Sequence, residues 1–211
     1  MIIAIDGPAA SGKGTIARRL AAHYGLPHLD TGLLYRAVGA KALENKVDFD
    51  DAAALAGIAA GLDLAALDAE ALKAGPVGEA ASKVAAVPEV RAKLLKLQQD
   101  FAHQPGGAVL DGRDIGTVIA PDAAVKLFVT ATPEARAERR FNELLKRGEE
   151  VTLAAVLEDI RRRDARDSGR SSAPLVQAPD AQVLDNTGLD VEGSWQAALA
   201  LAERARAAAG L

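Results

Sequence analysis

The chain has 211 residues, a formal net charge of −4 and 49% apolar residues, a size that suits one α/β domain with small inserts. It contains no cysteine, which excludes disulfides, thiolate metal sites and a thiol nucleophile. Its apolar runs are too short to span a membrane, and residues 1–5 lack the basic flank of a secretion signal. We therefore expect a cytoplasmic protein with no membrane partner, and the negative charge argues against broad nucleic-acid binding.

Short apolar runs alternate with longer helical patterns along the chain. The candidate strands are residues 2–5, 26–29, 108–111, 125–130 and 182–185. Several of these runs are continuously apolar, which is typical of parallel strands buried on both faces. The alternation predicts an α/β fold with a five-stranded parallel sheet flanked by helices, and a surface helix over residues 197–209.

A phosphate-loop pattern lies between the first strand and the first helix. Glycines in such a loop let backbone N–H groups point at phosphate oxygens, and the helix N-terminus adds its positive end. Lys13 is placed to bridge the β- and γ-phosphates, and Thr15 to lie near Mg²⁺. The predicted ATP-binding residues are Gly7, Pro8, Ala9, Ala10, Ser11, Gly12, Lys13, Gly14 and Thr15. Gly14 separates Lys13 from Thr15, and the resulting Gly-Lys-Gly-Thr pattern resembles that of nucleoside monophosphate kinases and is unlike that of regulatory GTPases.

The second strand is followed by a possible acceptor-binding segment. Thr31 could cap the next helix, Tyr35 could line a nucleotide pocket, and Arg36 could clamp a phosphate through two hydrogen bonds. Residues 45–48 read Asn-Lys-Val-Asp and match the guanine-reading motif of GTPases. They end a helical pattern instead of following a late strand, so we interpret them as a solvated helix end.

Two acidic residues and an arginine lie at or just after the end of the third strand. Asp111 stands where a carboxylate would hold Mg²⁺ through water, so Asp111 and Thr15 are the candidate metal-site residues. A turn-capping role is the alternative for Asp111. Arg113 and Asp114 are expected at the carboxyl edge of the sheet, where ligands bind in open α/β folds.

Residues 134–170 predict a helix pair joined at residues 147–149 and carry nine arginines. A solvated face accounts for some of them, such as Arg161 and Arg162. Arg163, Asp167 and Arg170 share one helical stripe and can converge on one point. Such groups suit phosphoryl transfer, and a hinged pair of this kind is typical of a closing lid. The segment lacks the interleaved aromatic residues that would favour nucleic-acid binding.

Together these motifs resemble the bacterial cytidylate kinase family. The matching segments are residues 7–15, 30–36, 81–86, 88–91, 111–117 and 163–175. The resemblance implies transfer of the γ-phosphate of ATP to CMP or dCMP with Mg²⁺ and no covalent intermediate. It also implies a single P-loop kinase domain over residues 1–211, with an NMP-binding insert at 38–82 and a short helical lid at 146–170. We expect a monomer.

The resemblance implies a role for each matched residue. The cytosine edge would be read by Ser82, Arg91 and Asp114, and the CMP phosphate held by Arg36, Arg113 and Arg170. Asp167 would bind the ribose hydroxyls, with Thr31, Tyr35 and Arg163 completing the CMP site. Arg139 and Arg140 resemble lid-side arginines near the ATP phosphates. The expected catalytic residues are Lys13, Arg139, Arg140 and Arg163.

One segment departs from the family pattern, and two other functions stay open. Residues 57–79 are Ala-rich and shorter than the usual family insert, which often contains a small β-sheet. One alternative is another P-loop kinase, acting on uridylate, adenylate or a non-nucleotide acceptor. The other is a nucleotide-dependent switch. Arg91 with Asp114 favours a cytosine-like base over the first alternative, and a requirement for a second substrate would exclude the switch.

Overall fold

The computed structural model describes residues 1–63, 67–69, 71–73 and 76–211. Five parallel strands form one sheet in the order β2-β3-β1-β4-β5. They are β1 (Ile2–Asp6), β2 (His28–Asp30), β3 (Ala108–Gly112), β4 (Val125–Thr130) and β5 (Gln182–Asp185). The predicted five-stranded parallel sheet is confirmed, although β2 begins two residues later than the predicted 26–29.

Helices flank the sheet on both faces. They are α1 (Lys13–Tyr24), α2 (Thr31–Glu44), α3 (Ala52–Ala60), α4 (Val77–Val84), α5 (Pro88–Ala102), α6 (Pro133–Lys146), α7 (Leu153–Ser168) and α8 (Val191–Ala208). A 3₁₀ turn covers Ala71–Lys73, and a π-helical turn covers Ile115–Ile119. In the part of the chain that the structure describes, no helix is both long and apolar enough to cross a membrane.

The central strand β1 separates two apolar layers. Successive side chains of a strand point to opposite faces, so Ile3 and Ile5 join the cluster with Leu20 of α1 and Trp195 of α8. Ala4 joins the opposite cluster under α5 and the π-helical turn. This double burial explains why β1 reads as a continuous apolar run.

Strand register brings acidic residues to one edge of the sheet. Asp6 is paired in register with Gly112, and Asp30 with Asp111. All these positions lie at the carboxyl ends of parallel strands. The segments that follow β1, β2 and β3 therefore meet at the edge where ligand binding was predicted.

A separate apolar cluster holds α2, α3, α4 and α5 together. It includes the buried side chains Leu34, Val38, Leu55, Val84 and Leu94. Residues 64–66, 70, 74 and 75, which belong to the predicted insert and to its shortened stretch 57–79, lie outside the described residues. The Asn-Lys-Val-Asp segment follows the end of α2 and is largely exposed, which confirms its interpretation as a helix end.

Helices α6 and α7 form the predicted pair and pack through a small apolar cluster. Val156 and Ile160 are buried in it and Leu157 is partly buried, as the periodicity predicted. Leu153 was predicted on the same face, but it is 40% exposed because it is the first residue of α7. Helix α8 begins earlier than the predicted 197, because the Asp190 side chain accepts a hydrogen bond from Gly193 N and caps it.

Candidate active site

The segment between β1 and α1 has the curled backbone of a phosphate loop. A Cβ at Gly7 would lie 2.0 Å from the carbonyl oxygen of Val129, so only glycine fits there. Ala10 and Gly12 adopt left-handed φ values of 58° and 86°. Ser11 is fully buried and its hydroxyl has no protein partner. The loop thus leads directly into the N-terminus of α1, which begins at Lys13.

A cavity of about 310 Å³ extends from this loop toward α7. The predicted site residues that line it are Ala9, Ala10, Ser11, Gly12, Lys13, Gly14, Thr15, Thr31, Tyr35, Arg36, Ser82, Arg91, Asp111, Arg113, Asp114, Arg140, Arg163, Asp167 and Arg170. They come from segments spread over much of the chain. The predicted residues Gly7, Pro8 and Arg139 do not line this cavity. Gly7 packs against β4, and Arg139 faces a second cavity.

The cavity concentrates positive charge that its acidic residues only partly balance. Burial and the nearby Arg113 lower the pKa of Lys13 to about 8. Burial and Arg113 likewise lower the pKa of Arg163 to about 10. The Nε atoms of Arg163 and Arg170 have no hydrogen-bond partner in the protein. The charged forms of Lys13 and Arg163 are therefore destabilised in the free protein, and a bound anion would stabilise them.

Two arginines share the buried carboxylate of Asp167. Arg113 Nε donates to Asp167 Oδ2 at 2.7 Å, and Arg170 donates to Oδ1. Burial opposes ionisation of Asp167, but Arg113 and then Arg170 outweigh it and hold the pKa at about 2. Arg163, Asp167 and Arg170 all line the cavity, as predicted, but α7 ends at Ser168, so Arg170 lies beyond the helix and the prediction of one helical stripe is wrong for it.

A second buried ion pair lies at the α5 side of the cavity. Arg91 on α5 donates to Asp114, and both side chains are almost fully buried. The Arg91 guanidinium also lies 5.5 Å from the centre of the Tyr35 ring and donates to Ala85 O at 3.3 Å. Three residues that were predicted from separate motifs are therefore in direct contact.

The end of β2 differs from the sequence-based prediction. Asp30, not Thr31, caps α2 by accepting a hydrogen bond from Gly32 N at 2.9 Å, so the predicted capping role of Thr31 is wrong. The Thr31 hydroxyl instead donates to Asp111 O at 2.8 Å. Asp111 also contacts His28 Nε2 at 2.8 Å. Burial and the Asp111 charge raise the pKa of Asp30.

Asp6 is a buried group at this edge that the sequence reasoning missed. Its two carboxylate oxygens accept hydrogen bonds from Ile115 N and Gly116 N, each at 2.8 Å. Burial raises the pKa of Asp6 to about 6, although these two bonds stabilise the charged form. Asp6 therefore holds the π-helical turn that directly follows Asp114. Its position between an apolar strand and the first glycine was the only signal in the sequence.

Arg136 was one of the nine arginines counted in residues 134–170, and the sequence analysis gave it no role. It is 3% exposed and donates to Ala9 O of the phosphate loop at 3.1 Å. The same guanidinium holds Asp164 of α7 through two hydrogen bonds of 3.0 and 2.5 Å. Arg136 of α6 thereby connects the phosphate loop to α7, which lies in the predicted lid.

A second cavity of about 300 Å³ lies on the other side of the phosphate loop. Arg139 lines it and donates to Asn186 Oδ1 at 2.9 Å and to Asn186 O at 2.6 Å. Asn186 in turn donates from Nδ2 to Ser11 O at 2.8 Å. Leu189 and Trp195 provide part of its apolar lining, while Arg140 lines both cavities. The phosphate loop therefore has one pocket on each side.

A parallel sheet with a phosphate loop flanked by two such pockets has the architecture of a P-loop kinase. The family model described as cytidylate kinase matches residues 3–204. Proteins named cytidylate kinase from Xanthobacter autotrophicus and Methylocella silvestris are 65% and 62% identical to this chain, over 98% and 97% of it and 99% and 95% of their own lengths. The chain belongs to the cytidylate kinase family.

A solved structure of an uncharacterized protein from Eubacterium ventriosum shares the fold. Its TM-score is 0.57 at 15% identity, and the match covers 96% of this chain and 98% of that one. The family match confirms the resemblance predicted from the motifs and the expectation of an ATP-dependent kinase. It does not support the alternative of a nucleotide-dependent switch.

Proposed function

We propose that the protein transfers the γ-phosphate of ATP to CMP or dCMP and releases ADP and CDP or dCDP. The observation that carries this proposal is the first cavity. It joins a phosphate loop at one end to the buried Arg91–Asp114 pair at the other, with arginines between them. Each end suits one part of the reaction, and the distance between them is bridged by a single continuous cavity.

The phosphate loop suits the donor. Its backbone N–H groups and the N-terminus of α1 favour phosphate oxygens, and Lys13 adds a cation at the start of the helix. We assign the ATP phosphates to residues 7–15 and the adenine to the second cavity, between Arg139 and Trp195. In this assignment Arg139 acts from the base side of ATP, and Arg140, which lines both cavities, acts nearer the transferred group.

The opposite end of the first cavity suits a cytosine nucleotide. Cytosine presents an amine that donates, and a ring nitrogen and a carbonyl that accept. Asp114 can accept from the amine, while Arg91 and Ser82 can donate to the other atoms. Uracil has a carbonyl in place of the amine, and the ionised Asp114 carboxylate has no proton to donate to it, so two buried acceptors would face each other. Arg36, Arg113 and Arg170 would then hold the CMP phosphate, and Asp167 the ribose.

Catalysis in this proposal relies on position and charge. The cations Lys13, Arg163 and Arg140 stabilise the charge that spreads over the oxygens of the transferring phosphoryl group. No side chain is needed as a covalent carrier. Because the pKa values of Lys13 and Arg163 are lowered in the free protein, the bound phosphates gain from pairing with them.

The residues present fit a magnesium ion. Asp111 Oδ2 lies 3.6 Å from the position of a Cβ at Gly14, next to Thr15, and Asp30 shares a mutual repulsion with Asp111. Oxygen ligands of this kind suit Mg²⁺. Among the described residues no group of three or more His, Asp or Glu forms a self-sufficient metal site. We propose that Thr15, with Asp111 acting through water, holds Mg²⁺, which would neutralise charge on the ATP phosphates.

The remaining assignments are also proposals. We propose one kinase domain over residues 1–211, with the insert at 38–82 and the lid at 146–170, that acts as a monomer in the cytoplasm. The helix pair and the Arg136 connection to the phosphate loop support the lid assignment. A sedimentation experiment with and without both nucleotides tests the monomer.

The experiment that tests the function measures ADP release from ATP and Mg²⁺ with CMP, dCMP, UMP, AMP, GMP or no acceptor. We expect strong turnover with CMP and dCMP and little without an acceptor. A preference for AMP or UMP would contradict the assignment of Arg91 and Asp114, and turnover without an acceptor would contradict the acceptor site as a whole.

A further inference from the structure

Arg166 links α7 to α4 beside the first cavity. One nitrogen of its guanidinium donates to Glu79 Oε1 at 2.9 Å. The other donates to Glu79 Oε2 at 3.3 Å and to Ser82 Oγ at 2.7 Å. Glu79 and Ser82 both lie on α4, three residues apart and on the same helical face. Ser82 lines the cavity, whereas Arg166 does not.

We propose that Arg166 is a positioning residue for base recognition, acting through the hydroxyl of Ser82. The proposal rests on the proposed function, in which Ser82 contacts the pyrimidine of the acceptor. It deepens that function because it assigns part of the discrimination between cytosine and uracil to a side chain outside the cavity.

The contact restricts what the Ser82 hydroxyl can do. A free hydroxyl rotates and offers one donor and two acceptor positions. A donor from a guanidinium occupies one acceptor position with a charge-assisted bond, which is stronger than a neutral one. Ser82 is only 5% exposed, so water has little access to replace that bond. The base therefore meets a hydroxyl whose direction is already set, and whose O–H is strengthened as a donor by accepting from a cation.

Glu79 keeps Arg166 in place for this task. Two hydrogen bonds to one carboxylate fix the plane of the guanidinium as well as its position. Arg166 lowers the pKa of Glu79, so the carboxylate stays ionised at neutral pH. A lysine at position 166 could not reproduce this fork, because its ammonium is a single point charge.

A purely structural tie between α4 and α7 makes a different prediction. Its loss would loosen the helices and lower turnover of CMP and UMP alike, whether or not Ser82 has its hydroxyl. Positioning through Ser82 predicts a change in the ratio of kcat/KM for CMP to kcat/KM for UMP. That change should vanish when the hydroxyl is absent.

The test is a double-mutant cycle with Ser82→Ala and Arg166→Met, measuring kcat/KM for CMP and UMP at saturating ATP and Mg²⁺. We expect Arg166→Met to reduce the CMP-to-UMP ratio by about tenfold, mainly through KM for CMP. In the Ser82→Ala background the same substitution should change the ratio by less than about twofold. Arg166→Lys should resemble Arg166→Met. If Arg166→Met does not fold, Arg166→Lys takes its place in the cycle.

Arg161→Met is the matched control. Arg161 lies on the same helix but is exposed and pairs with Glu134 at 3.0 Å, so the ratio should not change. An equal loss for CMP and UMP, or the same change of ratio in both backgrounds, would overturn the proposal. Affinity for a non-hydrolysable ATP analogue checks that the donor side is intact. Failure of the wild-type protein to prefer CMP would instead contradict the proposed function itself.

Discussion

Arg113 Nε donates to Asp167 Oδ2 at 2.7 Å, although the two residues are 54 positions apart in the chain. One follows β3 at the edge of the sheet, and the other lies near the end of α7. The ion pair therefore connects the proposed lid to the sheet and orients a cation of the acceptor site at the same time.

Asp167→Asn should destabilise the protein and raise KM for CMP. Arg113 and Arg170 would lose their shared carboxylate, and an uncompensated buried charge costs about 3 kcal/mol. The pKa of Asp167 is lowered to about 2 in the folded protein and lies near 4 in the unfolded chain. The ionised carboxylate therefore contributes its full stabilisation to the folded state above about pH 4, and this stabilisation is lost as the pH falls through about 2. Urea unfolding at pH 7 and pH 3 should show that the free energies of unfolding of wild type and variant differ less at pH 3 than at pH 7. An unchanged difference would contradict the pairing.

Asp114→Ala should weaken the binding of CMP far more than the binding of ATP. The variant removes the acceptor proposed for the cytosine amine and leaves the buried Arg91 without its partner. The expected loss of CMP affinity is about a hundredfold, measured by calorimetry, while affinity for an ATP analogue stays within about threefold. Equal weakening of both nucleotides would mean that Asp114 has a structural role only.

Lys13→Met should abolish most phosphoryl transfer while raising thermal stability at pH 7. The pKa of Lys13 is lowered to about 8 in the folded state, so its charge opposes folding below that pH. Between about 8 and the unfolded value near 10.5 the unfolded state binds more protons, and the wild type gains stability as the pH rises.

Thermal melts of both proteins at pH 7 and pH 10 test whether the charge of Lys13 destabilises the folded state. We expect Lys13→Met to melt a few degrees above the wild type at pH 7, and the gap to narrow at pH 10. A variant that is less stable than the wild type at pH 7 would contradict the inferred burial of charge. Turnover at the wild-type rate would contradict the role of Lys13 in the phosphate loop.

Asp6→Asn should impair CMP binding through the turn after Asp114. An amide has only one oxygen, so either Ile115 N or Gly116 N would face a second donor, at a cost of about 1–3 kcal/mol. The turn should shift, and KM for CMP should rise more than KM for ATP. Asp122→Asn is the control, because Asp122 forms an exposed pair with His103 and should affect neither constant. Equal effects of the two variants would contradict the proposed role of Asp6.

The motifs predicted most of the cavity lining because their chemistry is local. The phosphate loop needs closely spaced glycines and Lys13, and these stand within nine residues of the sequence. Arg136 and Asp6 were not predicted. Nothing near Arg136 distinguishes a buried charge from a solvated one, and the only signal for Asp6 was its position at the end of an apolar strand. Arg136 resembles its exposed neighbours on α6 until the fold places it between Ala9 and Asp164.

The sequence by itself determined the parallel sheet, the phosphate loop and the resemblance to a kinase family, because apolar periodicity and glycine spacing act over a few residues. Only the tertiary structure decided the partners of the charged groups. Arg113 with Asp167, and Arg166 with Ser82, join residues that are 54 and 84 positions apart. Contacts of this kind depend on how strands and helices pack, and packing brings together residues whose separation in the chain carries no signal.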